Sequence, residues 1–179
     1  MINIFINKYK NIYDYYLIMV TDIFIAHNTE PLVYSSCIFL IPLIYSYYLK
    51  FYFYTIVLFI TFGISANYWR KATLGLRRDL DLFFSKISFL IFFISNFVYL
   101  HYNYPLLLGY KINNNSDIST IIYITSYSNL FFIIYFYNLS YYHYRINDIH
   151  WIIYHILFHI FCNLNILLII NIGNKRFIT

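Results

Sequence analysis

His155, His159 and Asn163 recur every four residues within the stretch from His150 to Ile172. Side chains at that interval stand one above another on a single helical face, with Cys162 at its margin. Two imidazoles one turn apart have the spacing for two ligands to one Zn²⁺. The spacing does not choose between chemistries. Two core histidines bonded to Tyr, Ser or carbonyl groups of neighbouring helices give the same pattern, and taken alone the pair fits that description better. The stretch is also long enough to span a bilayer, since about 20 mainly apolar residues cover a hydrocarbon core roughly 30 Å thick. In such a span each imidazole needs partners for two ring nitrogens, where Leu or Ile would need none. The polar face therefore marks the inside of a bundle.

The composition agrees with a bundle in a membrane. Of 179 residues, 61% are hydrophobic and only 11% charged, which sets the chain apart from ordinary soluble domains. The 23 Tyr and 19 Phe sit among abundant Ile and Asn, with Gly 4 and Pro 3. Such a bias makes an aromatic stripe a poor sign of base stacking, and no basic patch of a soluble surface is present, so nucleic acid is excluded as a partner. The net charge of +5 is loop charge that sets orientation. Cys37 and Cys162 lie in apolar runs without a CxxC spacing and read as buried thiols.

The elements that must position the histidines are predicted to be about five spans in an all-α, multi-pass transmembrane helical bundle. Residues 1–30 read as an N-terminal interfacial segment that is amphipathic, with an extra span as the alternative. The bundle occupies 31–173. Pro31 precedes a first span, Leu32 to Leu49, which Pro42 should kink. Lys50 makes a tight hairpin with the second span, Phe51 to Trp69. The charged loop Arg70 to Asp79 leads to a third span ending at Tyr102, with Asp79 as N-cap and a stripe of Asp81, Ser85, Ser88 and Ser95. A polar loop to Asp117 precedes the fourth span, Ile118 to Tyr142. A short turn capped by Asp148 opens the fifth, and 174–179 is a brief basic tail.

Counting cations by side turns this order into a topology. Lys8, Lys10, Arg70, Lys71, Arg77, Arg78 and Arg145 fall on one side, and Lys50, Lys111, Lys175 and Arg176 on the other. The richer side is expected to be cytoplasmic, which puts the sequon at Asn114 outside. Ser65, Asp81 and His155 then all lie near the cytoplasmic ends of their spans. At 1.5 Å per residue, Ser65 is roughly 6 Å below Trp69, and His155 and His159 roughly 8 and 14 Å below the helix start. Four polar side chains on three helices share a depth.

Ser65 to Trp69 (SerAlaAsnTyrTrp), Asp81, and His155 with His159 in the last span resemble the motif set of the CREST superfamily. That group contains alkaline ceramidases, PAQR receptors and membrane hydrolases of GPI-anchor lipid remodelling. The resemblance implies that His155 and His159 are paired zinc ligands, that Asp81 orients the zinc-bound water or takes its proton, and that Ser65 donates a hydrogen bond to the water or the developing oxyanion. It implies membrane lipid amides or esters as substrates. The chain departs from the pattern twice. Trp69 stands where the family has a third histidine, and five or six spans replace seven. His150, His143 and Asp79 are the remaining candidates for a substitute ligand, although His150 lies about 140° round the helix from His155. Two other classes stay open: a non-catalytic integral membrane protein that keeps the bundle without metal, and a haem bundle using His101, whose depth is wrong for it.

Overall fold

In a computed structural model of the chain, residues 29–73, 75–101, 120–146 and 148–177 are described. They form six helices: α1 (Glu30–Cys37), α2 (Leu40–Tyr48), α3 (Tyr52–Arg70), α4 (Leu76–His101), α5 (Thr120–Arg145) and α6 (Trp151–Phe177). The expected N-terminal segment, save its last two residues, and the loop bearing Asn114 lie outside the described residues.

α1 and α2 are one pass with a break. Pro42 has no N–H to offer the carbonyl of Ile38 four residues back, so the chain tightens there. Phe39 N–H bonds Ser36 O and Ile41 N–H bonds Ile38 O, both one residue short of helical spacing. The hairpin at Lys50 follows. Lys50 takes a left-handed φ of 62°, and Phe51 N–H reaches back to Ser46 O at 2.8 Å, the closure usual for a helix that ends in a left-handed residue.

Counting α1 and α2 together, the described residues form five bundle helices. Four of them, Glu30–Tyr48, Leu76–His101, Thr120–Arg145 and Trp151–Lys175, are long and apolar enough to cross a membrane. α3 has 19 residues, about 28 Å, and packs against α1, α2 and α4. The protein is thus an all-α bundle with the helices of a multi-pass integral membrane protein. α6 is its axis, touching α1, α2, α4 and α5.

The ends of the helices gather as the alternating topology requires. At one end Thr29 Oγ1 donates to Trp69 O at 2.7 Å, and the rings of Trp69 and Trp151 lie 6.1 Å apart. At the other, Tyr45 OH donates to Asn171 Oδ1 at 2.7 Å, and Gly173 meets the rings of Tyr99 and Phe51 so closely that an added Cβ would lie 3.0 Å from Tyr99.

Three expectations are corrected here. α4 begins at Leu76, after Gly75 at φ +119°, so Asp79 sits in the first turn and complements the helix dipole without capping it. α6 runs on through Phe177, so the tail expected from 174 is mostly its last turn. Cys37 is exposed on the outside of the bundle, where a membrane protein can present an apolar thiol to lipid.

Two apolar clusters fill the bundle. A small one, Leu32, Tyr68, Trp69 and Ala72, lies at the Trp151 end. A larger one around Tyr54, Leu58, Tyr99, Ile169 and Ile170 lies toward the other. A layer of buried polar groups, among them Ser35, Ser65, Asp81, Asn96 and Asn165, shares the interior with them.

Candidate functional site

The break in the first pass delivers two side chains to His159. Ser35, just before it, places Oγ 2.9 Å from His159 Nδ1, and Phe39, within it, sets its ring edge-on at 5.3 Å. Ser35 Oγ also lies 2.9 Å from Leu32 O. A hydroxyl has one proton, and only by giving it to that carbonyl does it avoid setting lone pair against lone pair. Ser35 must then accept from His159, so Nδ1 carries the ring proton and Nε2 keeps its lone pair.

His155 repeats the arrangement. Ser140 Oγ on α5 donates to Trp151 O at 3.2 Å and lies 3.3 Å from His155 Nδ1, so it accepts from that nitrogen too. The two rings stand 4.7 Å apart. Each is oriented by a serine on another helix, and each keeps its Nε2 free to accept a hydrogen bond or ligate.

Ser65, Asp81, His155 and His159 line one cavity of about 390 Å³. The structure therefore brings all four sequence-predicted residues to one space. Ser65 and Ser85 are the hydrogen-bonding neighbours of the Asp81 carboxyl, but buried Asp81 Oδ1 has no partner of its own. Ser88 extends the polar wall downward and bonds Thr61. Apart from Lys86 and Asn165 the rest is mostly apolar, with Leu58, Phe92 and Ile166 at the deep end. Between α4 and α5 the lining includes Leu82, Phe89, Phe93, Ile134 and Tyr137, all exposed on the outer surface of the bundle. In a membrane this side faces lipid.

Trp69 is placed differently. It is buried beside Tyr68 and sets its ring edge-on to His155 at 5.0 Å, outside the residues that line the cavity. It is thus a packing residue behind His155 more than an interfacial anchor. His143 and His150 cannot replace the missing ligand, because both bond Asp148 in the α5–α6 turn, at 2.7 and 2.6 Å. Asp79 is exposed on the first turn of α4. Among the described residues no three His, Cys, Asp or Glu side chains stand together so as to hold one ion. The paired Nε2 atoms and the orphaned Asp81 oxygen have the right chemistry for zinc and the right number for a catalytic site, yet they line the cavity without converging on one ion position. His101 meets Tyr127, away from the other histidines.

Sequence reasoning missed Ser35 and Ser140, the residues that fix both tautomers. The signal was available in their depth. Ser35 lies five residues from Glu30 and Ser140 five from Arg145, level with Ser65 and Asp81 in the same topology.

The α5–α6 turn beside the site has an acid-base character of its own. Asp148 accepts from the backbone N–H of His150 at 3.0 Å as well as from both imidazoles, and these bonds, the backbone one foremost, hold its carboxyl down at about 2. A carboxylate depressed by the fold stabilises it above its ordinary pKa of 3.8, and the contribution is lost as pH falls from there through about 2. Asp148→Ala should therefore deprotect the amides of His150 and Trp151 at pH 7 in hydrogen-exchange mass spectrometry. The wild type should lose the same protection, relative to intrinsic rates, only between pH 4 and 2. Equal protection in both proteins at pH 7 would mean that the turn does not depend on this cap.

Comparison of the chain with protein-family models, with curated protein sequences and with solved structures gives no match in any of the three.

Proposed function

We propose that this protein binds a membrane lipid in the cavity, with the lipid's amide or ester group at the His155, His159, Asp81 and Ser65 end and an acyl chain along the apolar remainder. The observation that carries the reading is the division of one lipid-facing cavity into a polar end and an apolar length. The polar end is rich in acceptors. Two Nε2 lone pairs and an unpartnered carboxylate oxygen call for N–H or O–H donors, which lipid amides and hydroxyls supply.

The arrangement resembles that of the CREST hydrolases, and the pairing of oriented imidazoles with a carboxylate favours hydrolysis as a second reading. In it, His159 Nε2 or Asp81 takes a proton from water as the water oxygen bonds to the carbonyl carbon, and the leaving amine or alkoxide receives that proton as its bond breaks. Where Asp81 is the base, its protonation frees the Ser65 hydroxyl, which then turns to the oxyanion. No step is assigned to zinc, because among the described residues no three donors converge on one ion position.

One experiment separates the readings. Protein purified in mild detergent is expected to retain lipid detectable by mass spectrometry, and His159→Phe, which keeps a ring in place, should reduce that retention several-fold. Release of fatty acid from added lipid amides or esters, lost in Asp81→Asn, would establish hydrolysis. Lipid retention equal in wild type and His159→Phe would sink the cavity as the binding site.

A further inference from the structure

Lys86 is the one charged side chain on the wall between Asp81 and the apolar end of the cavity. It lies ten residues into α4, about 15 Å from its start, and eight residues below Arg78, the last cation of the charged loop. A lysine stem lets its ammonium rise about 6 Å toward an interface, which is half the roughly 12 Å of helix that separates it from Arg78. Snorkelling alone does not bring this charge to water.

A cation at that depth calls for an anion. Among the described residues none pairs with it. The nearest carboxylates on α4 are Asp79 and Asp81, and neither pairs with Lys86. The ion pairs among the described residues are those of Asp148 with His143 and His150, in the turn. Lys86 is exposed and stands beside Leu82 and Phe89 at the lipid-facing mouth. A helical side chain leans toward the N-terminus of its own helix, so the ammonium is carried up the mouth toward the level of Asp81.

We propose that Lys86 is the headgroup-selecting residue of the cavity and that the lipid it admits bears a phosphate. The proposal rests on the lipid-binding reading above and names its ligand class. An acyl chain fills the apolar end, N–H or O–H donors meet the imidazoles and Asp81, and the phosphate, too costly to desolvate inside, stays at the mouth against the ammonium. At the mouth, beside the apolar wall and away from bulk water, the pair is stronger than one fully exposed to water. Neutral lipids of the same chains lack this contact. The charge is the source of selectivity.

The test is thermal unfolding of the full chain in uncharged detergent with three probes: phosphatidic acid, diacylglycerol of the same chains, and inorganic phosphate. Phosphatidic acid is expected to stabilise the wild type at concentrations at least tenfold lower than diacylglycerol, and inorganic phosphate to have no effect. Lys86→Met should erase the difference between the two lipids, and Lys86→Arg should keep it. Equal response to both lipids in the wild type, or a preference that survives Lys86→Met, overturns the proposal while leaving lipid binding intact. A response to inorganic phosphate matching that to phosphatidic acid overturns it in favour of a soluble phosphate ligand. Failure of both lipids to stabilise the protein removes the underlying lipid-binding reading as well. Should Lys86→Met fold poorly, Lys86→Gln keeps polarity without charge and must lose the preference in the same way.

Discussion

Asn96→Leu is expected to lower the stability of the bundle by about 2 kcal/mol, a large effect for one near-isosteric exchange. Asn96 is almost wholly buried on α4. Its Oδ1 accepts from Ser126 Oγ on α5 at 2.6 Å, and its Nδ2 donates to Asn165 Oδ1 on α6 at 3.5 Å. One side chain thus ties three helices. Leucine fills similar space but strands the Ser126 hydroxyl and the Asn165 carbonyl, and a buried orphan costs about 1–3 kcal/mol. The lower figure applies here, because hydrogen bonds within membranes are worth about 0.6 kcal/mol on average and Ser126 can fall back on a carbonyl of its own helix. Ser126→Ala removes donor and orphan together and should cost about 1 kcal/mol or less. In the double variant part of the loss should return, since the stranded hydroxyl is gone. Equilibrium unfolding in mixed micelles measures all three. If Asn96→Leu unfolds with the wild type, the polar layer does not hold the helices together.

That layer shows what the sequence made legible and what it did not. The period of four in His155, His159 and Asn163, and the stripe of Asp81, Ser88 and Ser95, are visible because a helix maps spacing onto a face. His159 and Asn163 are buried accordingly. Residues that act across helices carry no such mark. Ser35 and Ser140 are ordinary small residues in their own spans, and Asn96 is single on its helix. Their meaning lies in partners more than 10 residues away. Pro42 announces a kink, but the consequence falls four residues earlier, where Phe39 and Ser35 are turned onto His159. Gly75 overrides Asp79 as the start of α4 through its backbone conformation. Lys86 escapes a count of loop charges because it is in no loop. Trp69 stands at a helix end, yet it is buried with Leu32, Tyr68 and Ala72, the last of them in the loop beyond it.

Trp69→His is expected to make the melting temperature of the protein depend on zinc, which that of the wild type should not. The indole lies one turn beyond Ser65 with its ring already 5.0 Å from that of His155, so an imidazole in its place stands against a ring whose Nε2 is free. His159 supplies a second free Nε2. Three imidazoles then meet the ligand count of a catalytic zinc, where two do not. The exchange also removes packing. Trp69 is buried among Leu32, Tyr68 and Ala72, and its Nε1 has no hydrogen-bond partner, so the loss is one of contact alone, about 2 kcal/mol against the 3–5 kcal/mol of truncating a core aromatic to alanine. Zinc at a hundred times its Kd contributes about 2.7 kcal/mol, enough to offset that loss. The variant should therefore melt below the wild type in chelator and near it in zinc. Trp69→Phe, which loses packing without gaining a ligand, should show the deficit and no response to metal. Adding His159→Phe to Trp69→His should abolish the response, since two ligands remain. If Trp69→His melts lower and ignores zinc, then Ser65, Asp81, His155 and His159 line a common cavity without surrounding a metal position, and the likeness to zinc hydrolases ends at the shared residues.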